Sequence, residues 1–304
     1  MATLKGQNFR VYTWDATASK YKVVGLASNC TINLNTNSED VSSKDDVGLA
    51  SKPEIISKSW SVSVDSFSMA DVGTLLTAMK NMSQFTLMWD ETSTTDNQTR
   101  QKATFARKGT AYLNDATFTF NDRTNATKSL QFTGCAPLET VGSSEASEVI
   151  ALGSYTKGQY VRLFLSSDNT TTPTAVIASS KSLSLHCSLT LEDSSTKDTT
   201  GDFQVQEPTG LSYDISTNAL VRSGETITSA VSGYDLTTLE TIYEAGLPVK
   251  WQIANTSGDN NRTKGSVLVS GSAALTQLSV SAAVKSNTVF DAQLNGYGEY
   301  TVGS

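Results

Sequence analysis

The chain has 304 residues, of which 38% are hydrophobic and 17% charged, with a formal charge of −7 and a pI near 4.8. That length accommodates two ordinary domains with half-size cores, and the shortfall in apolar and charged residues, made up by Ser, Thr and Asn, suits strands with one solvated face. The acidic balance argues against a surface that grips phosphate through clustered Lys and Arg, and no apolar run reaches the length of a signal core or a bilayer span, so synthesis in a cytoplasm without membrane contact is expected.

Residues 5–14 alternate around Phe9, Val11 and Thr13 and predict a first strand, with Gly6 at its entrance. A polar tip at 15–19 leads to a second apolar run at 21–26. Cys30, Ile32 and Leu34 then alternate with Thr31, Asn33 and Asn35, placing three apolar groups on one strand face. From 39 to 57 neither period is sustained, and a long loop is expected, of the kind that is functional or ordered by a partner. Trp60, Val62 and Val64 alternate with serines in the next strand. At 69–82 the period changes: Val72, Leu75, Leu76, Met79 and Met82 form a helical stripe, with Asp71 as cap or first-turn acid. Strands are expected at 85–89, 103–107, 116–120 and 130–132, with a polar tip at 90–100.

The same order of elements then returns. Lys157-Gly158-Gln159 repeats Lys5-Gly6-Gln7 at a displacement of 152 (157 − 5), with Arg162 answering Arg10. Glu192-Asp193-Ser194-Ser195-Thr196-Lys197-Asp198 repeats the Glu39-Asp40…Lys44-Asp45 stretch at 153 (192 − 39), ending at Gly201 as the first ends at Gly48. Carried back one strand, this register sets Leu183, Leu185 and Cys187 on Cys30, Ile32 and Leu34. Tyr213 and Ile215 follow a loop containing Pro208. Leu236, Leu239, Ile242 and Tyr243 give a second helical stripe, ended by Gly246 and Pro248. Further on, Gly296 answers Gly134 at 162 (296 − 134), and a short insertion near 222–233 explains the growth. A domain-length displacement implies a duplicated domain. The expected division is 1–139, a polar linker at 140–153, and 154–304.

Residues for chemistry are scarce. Cys30, Cys135 and Cys187 offer no close pair for a disulfide framework. His186, the sole histidine, and Cys187 point to opposite sides of their strand and cannot share a metal ion. Phosphate-cradling glycine loops, helical His pairs and Cys-x-x-Cys pairs do not occur. No enzyme activity, cofactor or metal is expected. The paired acids Glu39-Asp40 and Glu192-Asp193 lack the glycine pattern of a calcium loop. Lys44-Asp45 and Lys197-Asp198 read either as solvated turn charges, each pair worth well under about 1 kcal/mol, or as charges that set register between molecules.

A strand ending in an acidic-Ser-Lys-Asp stretch (Ser42-Ser43-Lys44-Asp45), followed by Lys58-Ser59-Trp60-Ser61-Val62-Ser63-Val64-Asp65 and one helix, resembles the major tail, or tail tube, proteins of long-tailed bacteriophages. The resemblance is clearest over residues 6–134; the second copy keeps Ser195-Thr196-Lys197-Asp198 but has Leu211 near the Trp60 position. It implies a mainly β fold, two tandem β-sandwich or barrel-like domains each with one flanking helix, whose subunits join sheet to sheet into rings that stack as a hollow tube for genome passage. A duplicated chain would form the ring as a trimer with pseudo-sixfold symmetry. Implied partners are further copies of the chain, tail terminator, baseplate or tail-tip and tape-measure proteins, with double-stranded DNA passing unbound through the lumen of a virion tail. Glu39, Asp40, Lys44, Asp45, Glu192, Asp193, Lys197 and Asp198 are the expected contacts between subunits or rings; which carboxylates face a lumen is left open. The alternatives are the inner tube of a contractile injection or secretion system, and a two-domain β-sandwich adhesin or carbohydrate-binding protein.

Overall fold

The computed structural model describes residues 5–24, 27–46, 50–67, 71–95, 99–101, 103–142, 156–199, 202–221, 233–257 and 263–303. The fold is mainly β. After a 3-10 turn at Gly6–Asn8 come β1 (Phe9–Asp15), β2 (Lys20–Val23), β3 (Ala27–Asp40), β4 (Pro53–Ser66), α1 (Val72–Lys80), β5 (Gln84–Thr92), β6 (Arg100–Gln101), β7 (Arg107–Asn121), β8 (Thr127–Gly134) and β9 (Glu139–Thr140). A second 3-10 turn at Gly158–Tyr160 opens β10 (Val161–Leu165), β11 (Ala175–Ile177), β12 (Ser180–Asp193), β13 (Gln206–Leu220), β14 (Gly233–Tyr234), α2 (Leu236–Ala245), β15 (Val249–Ser257), β16 (Thr263–Ser281), β17 (Val289–Gly296) and β18 (Thr301–Val302). Most of the expected linker, the glycines ending the two copied stretches and most of the expected insertion fall outside the described residues.

Eight antiparallel strands form one continuous run, β3-β4-β8-β7-β12-β13-β17-β16. Strict alternation divides its faces. Val62, Val64, Ala116, Phe118, Leu130, Phe132, Leu183, Leu185, Cys187, Ile215, Ala292 and Leu294 are buried on one side. A second layer, β2-β1-β5 with its counterpart β11-β10-β15, is joined through the first halves of β7 and β16. The helices bury Val72, Leu75, Leu76 and Met79 in α1 and Leu239 and Ile242 in α2, whereas Met82, beyond the end of α1, and Tyr243 of the expected stripes are exposed. The largest hydrophobic cluster draws on both halves of the chain, where half-size cores were expected. Tyr300, fully buried, donates its hydroxyl to the Leu76 carbonyl and so ties the end of the second half to the helix of the first.

Strand registers carry the internal repeat. Cys30 faces Val64 and Leu183 faces Thr217, both partners displaced by 153 (183 − 30, 217 − 64). Ala116 faces Leu130 and Leu278 faces Ala292, both displaced by 162 (278 − 116, 292 − 130). The same offsets set Tyr213, not Leu211, on Trp60. Each ring rests on glycine backbone: a Cβ on Gly134 would lie 2.2 Å from Trp60 Cε2, and one on Gly296 2.7 Å from the Tyr213 ring. Trp60 packs on Trp89 with centroids 5.9 Å apart, and Tyr213 on Trp251 at 5.6 Å.

Four local expectations change. The strand expected at 103–107 is mostly turn, with only Arg107 in β7. The loop expected at 39–57 is shorter at both ends, because β3 runs to Asp40 and pairs with β4 from Pro53 on; this arm of the hairpin buries no face, so the period-2 signal is missing there. Pro208 lies within β13, beside the irregularity between Thr190 and Leu191, where a missing N–H is tolerated. Asp71 stands at the N-cap of α1 without capping it, its carboxylate going instead to the buried Lys128 ammonium. Asp235 does cap α2, accepting from the Thr238 N–H at 3.0 Å, and Gly246 ends that helix at φ 64°.

Candidate functional site: a polar sheet face and two open edges

The face opposite the core carries Asn29, Thr31, Asn33 and Asn35 on β3, Ser59, Ser61, Ser63 and Asp65 on β4, Ser129 and Gln131 on β8, and Asp115, Thr117 and Thr119 on β7. The second half continues it with Ser184, His186 and Ser188 on β12, Asp214 and Ser216 on β13, Asp291 and Gln293 on β17, and Gln277 and Ser279 on β16. None of these positions holds Lys or Arg. Cross-strand hydrogen bonds lace the surface: Ser129 Oγ donates to Asp65 at 2.7 Å, Asn218 Nδ2 to Asp291 at 2.7 Å, and Ser188 and Ser212 hydroxyls meet at 2.7 Å.

The two halves meet at a seam where Asp115–Asn121 of β7 pairs with Ser182–Ser188 of β12. His186 sits across it, with Nδ1 2.8 Å from Asp214 and Nε2 2.8 Å from Asp115. A neutral imidazole has one N–H; only the imidazolium donates to both carboxylates. Partial desolvation pulls the His186 pKa down, but the hydrogen bonds and charges of Asp115 and Asp214 outweigh it and the net direction is upward. The arrangement is a cross-strand bridge on the polar sheet face. Burial raises the Cys187 thiol on the opposite face to about 12, the behaviour of a small apolar core group.

Among the described residues the sheet ends at β3 on one side and at the second half of β16 on the other. By the offsets above these are the counterparts of β12 and β7, the strands joined at the seam. At the seam Cys187 is 1% exposed and Phe118 0%; on the edges their counterparts Leu34 and Val280 are 65% and 50% exposed.

The copied stretches occupy the tips of the two long hairpins, with Glu39, Asp40, Lys44, Asp45, Glu192, Asp193, Lys197 and Asp198 all exposed. Their turns are built alike. Asp40 accepts from the Ser42 N–H and Asp193 from the Ser195 N–H; Ser42 Oγ accepts from Lys52 N–H and Ser195 Oγ from Val205 N–H. The Ser42 hydroxyl and backbone N–H groups lower the Asp40 pKa, as the Ser195 hydroxyl and N–H lower that of Asp193. Local turn geometry therefore accounts for the repeated Asp and Ser, leaving the repeated Lys-Asp pair without a local reason. The second hairpin also clasps the first half: Lys58 N–H donates to the Asp202 carbonyl at 2.6 Å, Gln204 N–H to the Lys58 carbonyl at 3.0 Å, and Lys58 Nζ lies 2.7 Å from the Asp202 carboxylate.

Asp115 and Asp214 were not singled out from sequence, although the period-2 reading places both on the polar face once their strands are registered. Among the described residues no group of three or more His, Cys, Asp or Glu is arranged to hold a metal ion, and no helix is long and apolar enough to cross a membrane.

No family model matches the chain, and no curated protein does. Among solved structures it is similar to the tail of an empty gene transfer agent particle (C6 symmetry; 12% identity, TM-score 0.37), with 49% of this chain and 99% of that one covered. The virion of a native gene transfer agent particle matches at 12% identity and TM-score 0.35, with the same coverage. The SPP1 tail tube matches at 15% identity and TM-score 0.36, covering 48% of this chain and 78% of that one.

Proposed function

We propose that the chain is a structural protein that assembles with its own copies into a hollow tube, as tail tube proteins do, three chains closing each ring. The observation that carries this reading is the pair of open edges. One seam of the required kind is closed inside the chain, and the strands equivalent to its two sides are left at opposite ends of the same sheet. A contact between unlike edges is heterologous and closes into a ring when the rotation permits. Covering an exposed side chain such as Leu34 is worth roughly 1.5–3 kcal/mol, and closure removes the aggregation hazard of a free edge.

In this ring the polar sheet face is the inner wall. It carries Asp65, Asp115, Asp214 and Asp291 and no Lys or Arg in its rows, so it repels phosphate and lets a double-stranded DNA slide without being held. Terminator, tail-tip and tape-measure proteins are the partners that such a tube in a virion tail requires. Electron microscopy of the purified chain, or of the particles that carry it, tests the reading: rings of three chains stacked into tubes are expected, and a protein that stays monomeric in the presence of its assembly partners refutes it.

A further inference from the structure

Gly6 and Gly158 open the two copies in the same Lys-Gly-Gln context, but their surroundings differ. Gly158 is packed under the β7–β8 turn, where an added Cβ would stand 2.4 Å from the Asn121 carbonyl oxygen and 2.5 Å from its nitrogen. The turn is held there by Gly158 N–H donating to the Thr124 carbonyl at 2.8 Å and Asp122 N–H donating to the Lys181 carbonyl at 2.8 Å. Glycine is thus required at 158 by the close approach of backbone. At Gly6 an added Cβ would meet nothing within 4 Å. In place of a turn there is an open cavity of about 330 Å³ lined by Gly6, Phe9, Arg10 and residues 27–30, the counterparts of the ground on which the β7–β8 turn lies.

The counterpart of that turn is free. The β16–β17 turn has the same backbone form, with Lys285 at φ 63° where the β7–β8 turn has Arg123 at φ 58°, and Val284 at its tip is 92% exposed. We infer that the cavity at Gly6 is a socket for the β16–β17 turn of a second copy of this chain, seated as the β7–β8 turn is seated on Gly158. The docking sets the register of the neighbouring strands: Ser182 opposite Asn121 at the seam becomes Asn29 opposite the partner's Ala283, and the contacts Gly158–Thr124 and Lys181–Asp122 become Gly6 with the partner's Ser286 and Ser28 with the partner's Val284. This rests on the assembly reading and specifies the partner surface within it.

The test uses the two glycines as internal controls. Gly6→Ala leaves the thermal midpoint of the unassembled chain unchanged, because its Cβ meets open space, yet lowers the assembled fraction seen by sedimentation and electron microscopy by about tenfold or more, the effect of roughly 1.4 kcal/mol of overpacking at each docked turn. Gly158→Ala lowers the thermal midpoint itself. Mixing chains carrying Asn29→Cys with chains carrying Ala283→Cys, in a Cys30→Ser background, gives a disulfide between chains upon assembly. Tubes from Gly6→Ala in wild-type yield, or tubes formed by the mixed cysteine chains with the pair still reduced, overturn the socket while leaving the tube reading standing. A wild-type chain that never assembles overturns both.

Discussion

Replacing His186 by Asn gives the second half the residue that the first half carries at the equivalent place, Asn33, whose amide donates to Ser61 Oγ at 3.5 Å. The variant loses two 2.8 Å contacts to carboxylates. Hydrogen bonds to charged groups are worth about 1.5–3 kcal/mol when well shielded, but His186, Asp115 and Asp214 are each about a third exposed, and solvent screening reduces the net loss to about 1 kcal/mol, or about 2 °C in thermal midpoint for a chain of this size. The pH dependence follows from the raised pKa. The folded state holds the proton more tightly than the unfolded state, whose histidine titrates near about 6.5, so the contribution is fully present below that value and is lost as pH rises through the folded pKa. Asp115 and Asp214 flank the ring, and Asp65 and Asp291 lie on the same face, so no cation competes with it. Urea denaturation of wild type and His186→Asn at pH 6 and pH 9, under conditions that keep both unassembled, should give a larger difference at pH 6. An equal difference at the two values would refute the bridge as the source of seam stability.

Two further outcomes are expected. Gly134→Ala drives a Cβ to 2.2 Å from Trp60 and should cost about 1–3 kcal/mol, whereas Gly296→Ala, at 2.7 Å from Tyr213, should cost less; thermal midpoints of the two variants check the order. Reversing charge at Lys44 and Lys197 together should leave the fold intact, since both are exposed tip residues, and impair assembly; normal tubes from the double variant would remove these tips from the interface.

Much of this architecture could be read from residues alone. Alternation at Cys30, Ile32 and Leu34 gave the right face, and the displacement of 153 that places Leu183 on Cys30 reappears in the strand pairing. Three kinds of feature escaped. The hairpin arms at Glu39–Asp40 and Glu192–Asp193 have no buried face, so exposed strand and loop look alike in sequence. Trp60 and Tyr213 share a role, an aromatic ring lying on glycine backbone, without sharing a residue type, and Leu211 drew attention instead. The seam joins β7 to a strand some seventy positions away, as with His186 and Asp115 at a separation of 71, and local periodicity carries no information about which edges meet. Lys-Gly-Gln was visible as a repeat, but its reason is a turn arriving from elsewhere.

The bridge of Asp115, His186 and Asp214 also makes the two halves of the polar face unlike in charge. Its counterparts are Gln277, Asn33 and Ser61, all uncharged, whereas Asp65 is matched in the second half by the Asn218–Asp291 pair, which keeps one carboxylate on each copy. In the proposed ring of three chains, a threading polyanion would meet one row of charge that repeats about every sixty degrees and another that repeats only every hundred and twenty. Because the two halves repeat their strand registers but not their charges, the electrostatic pattern of the polar face departs from the symmetry of the scaffold that bears it.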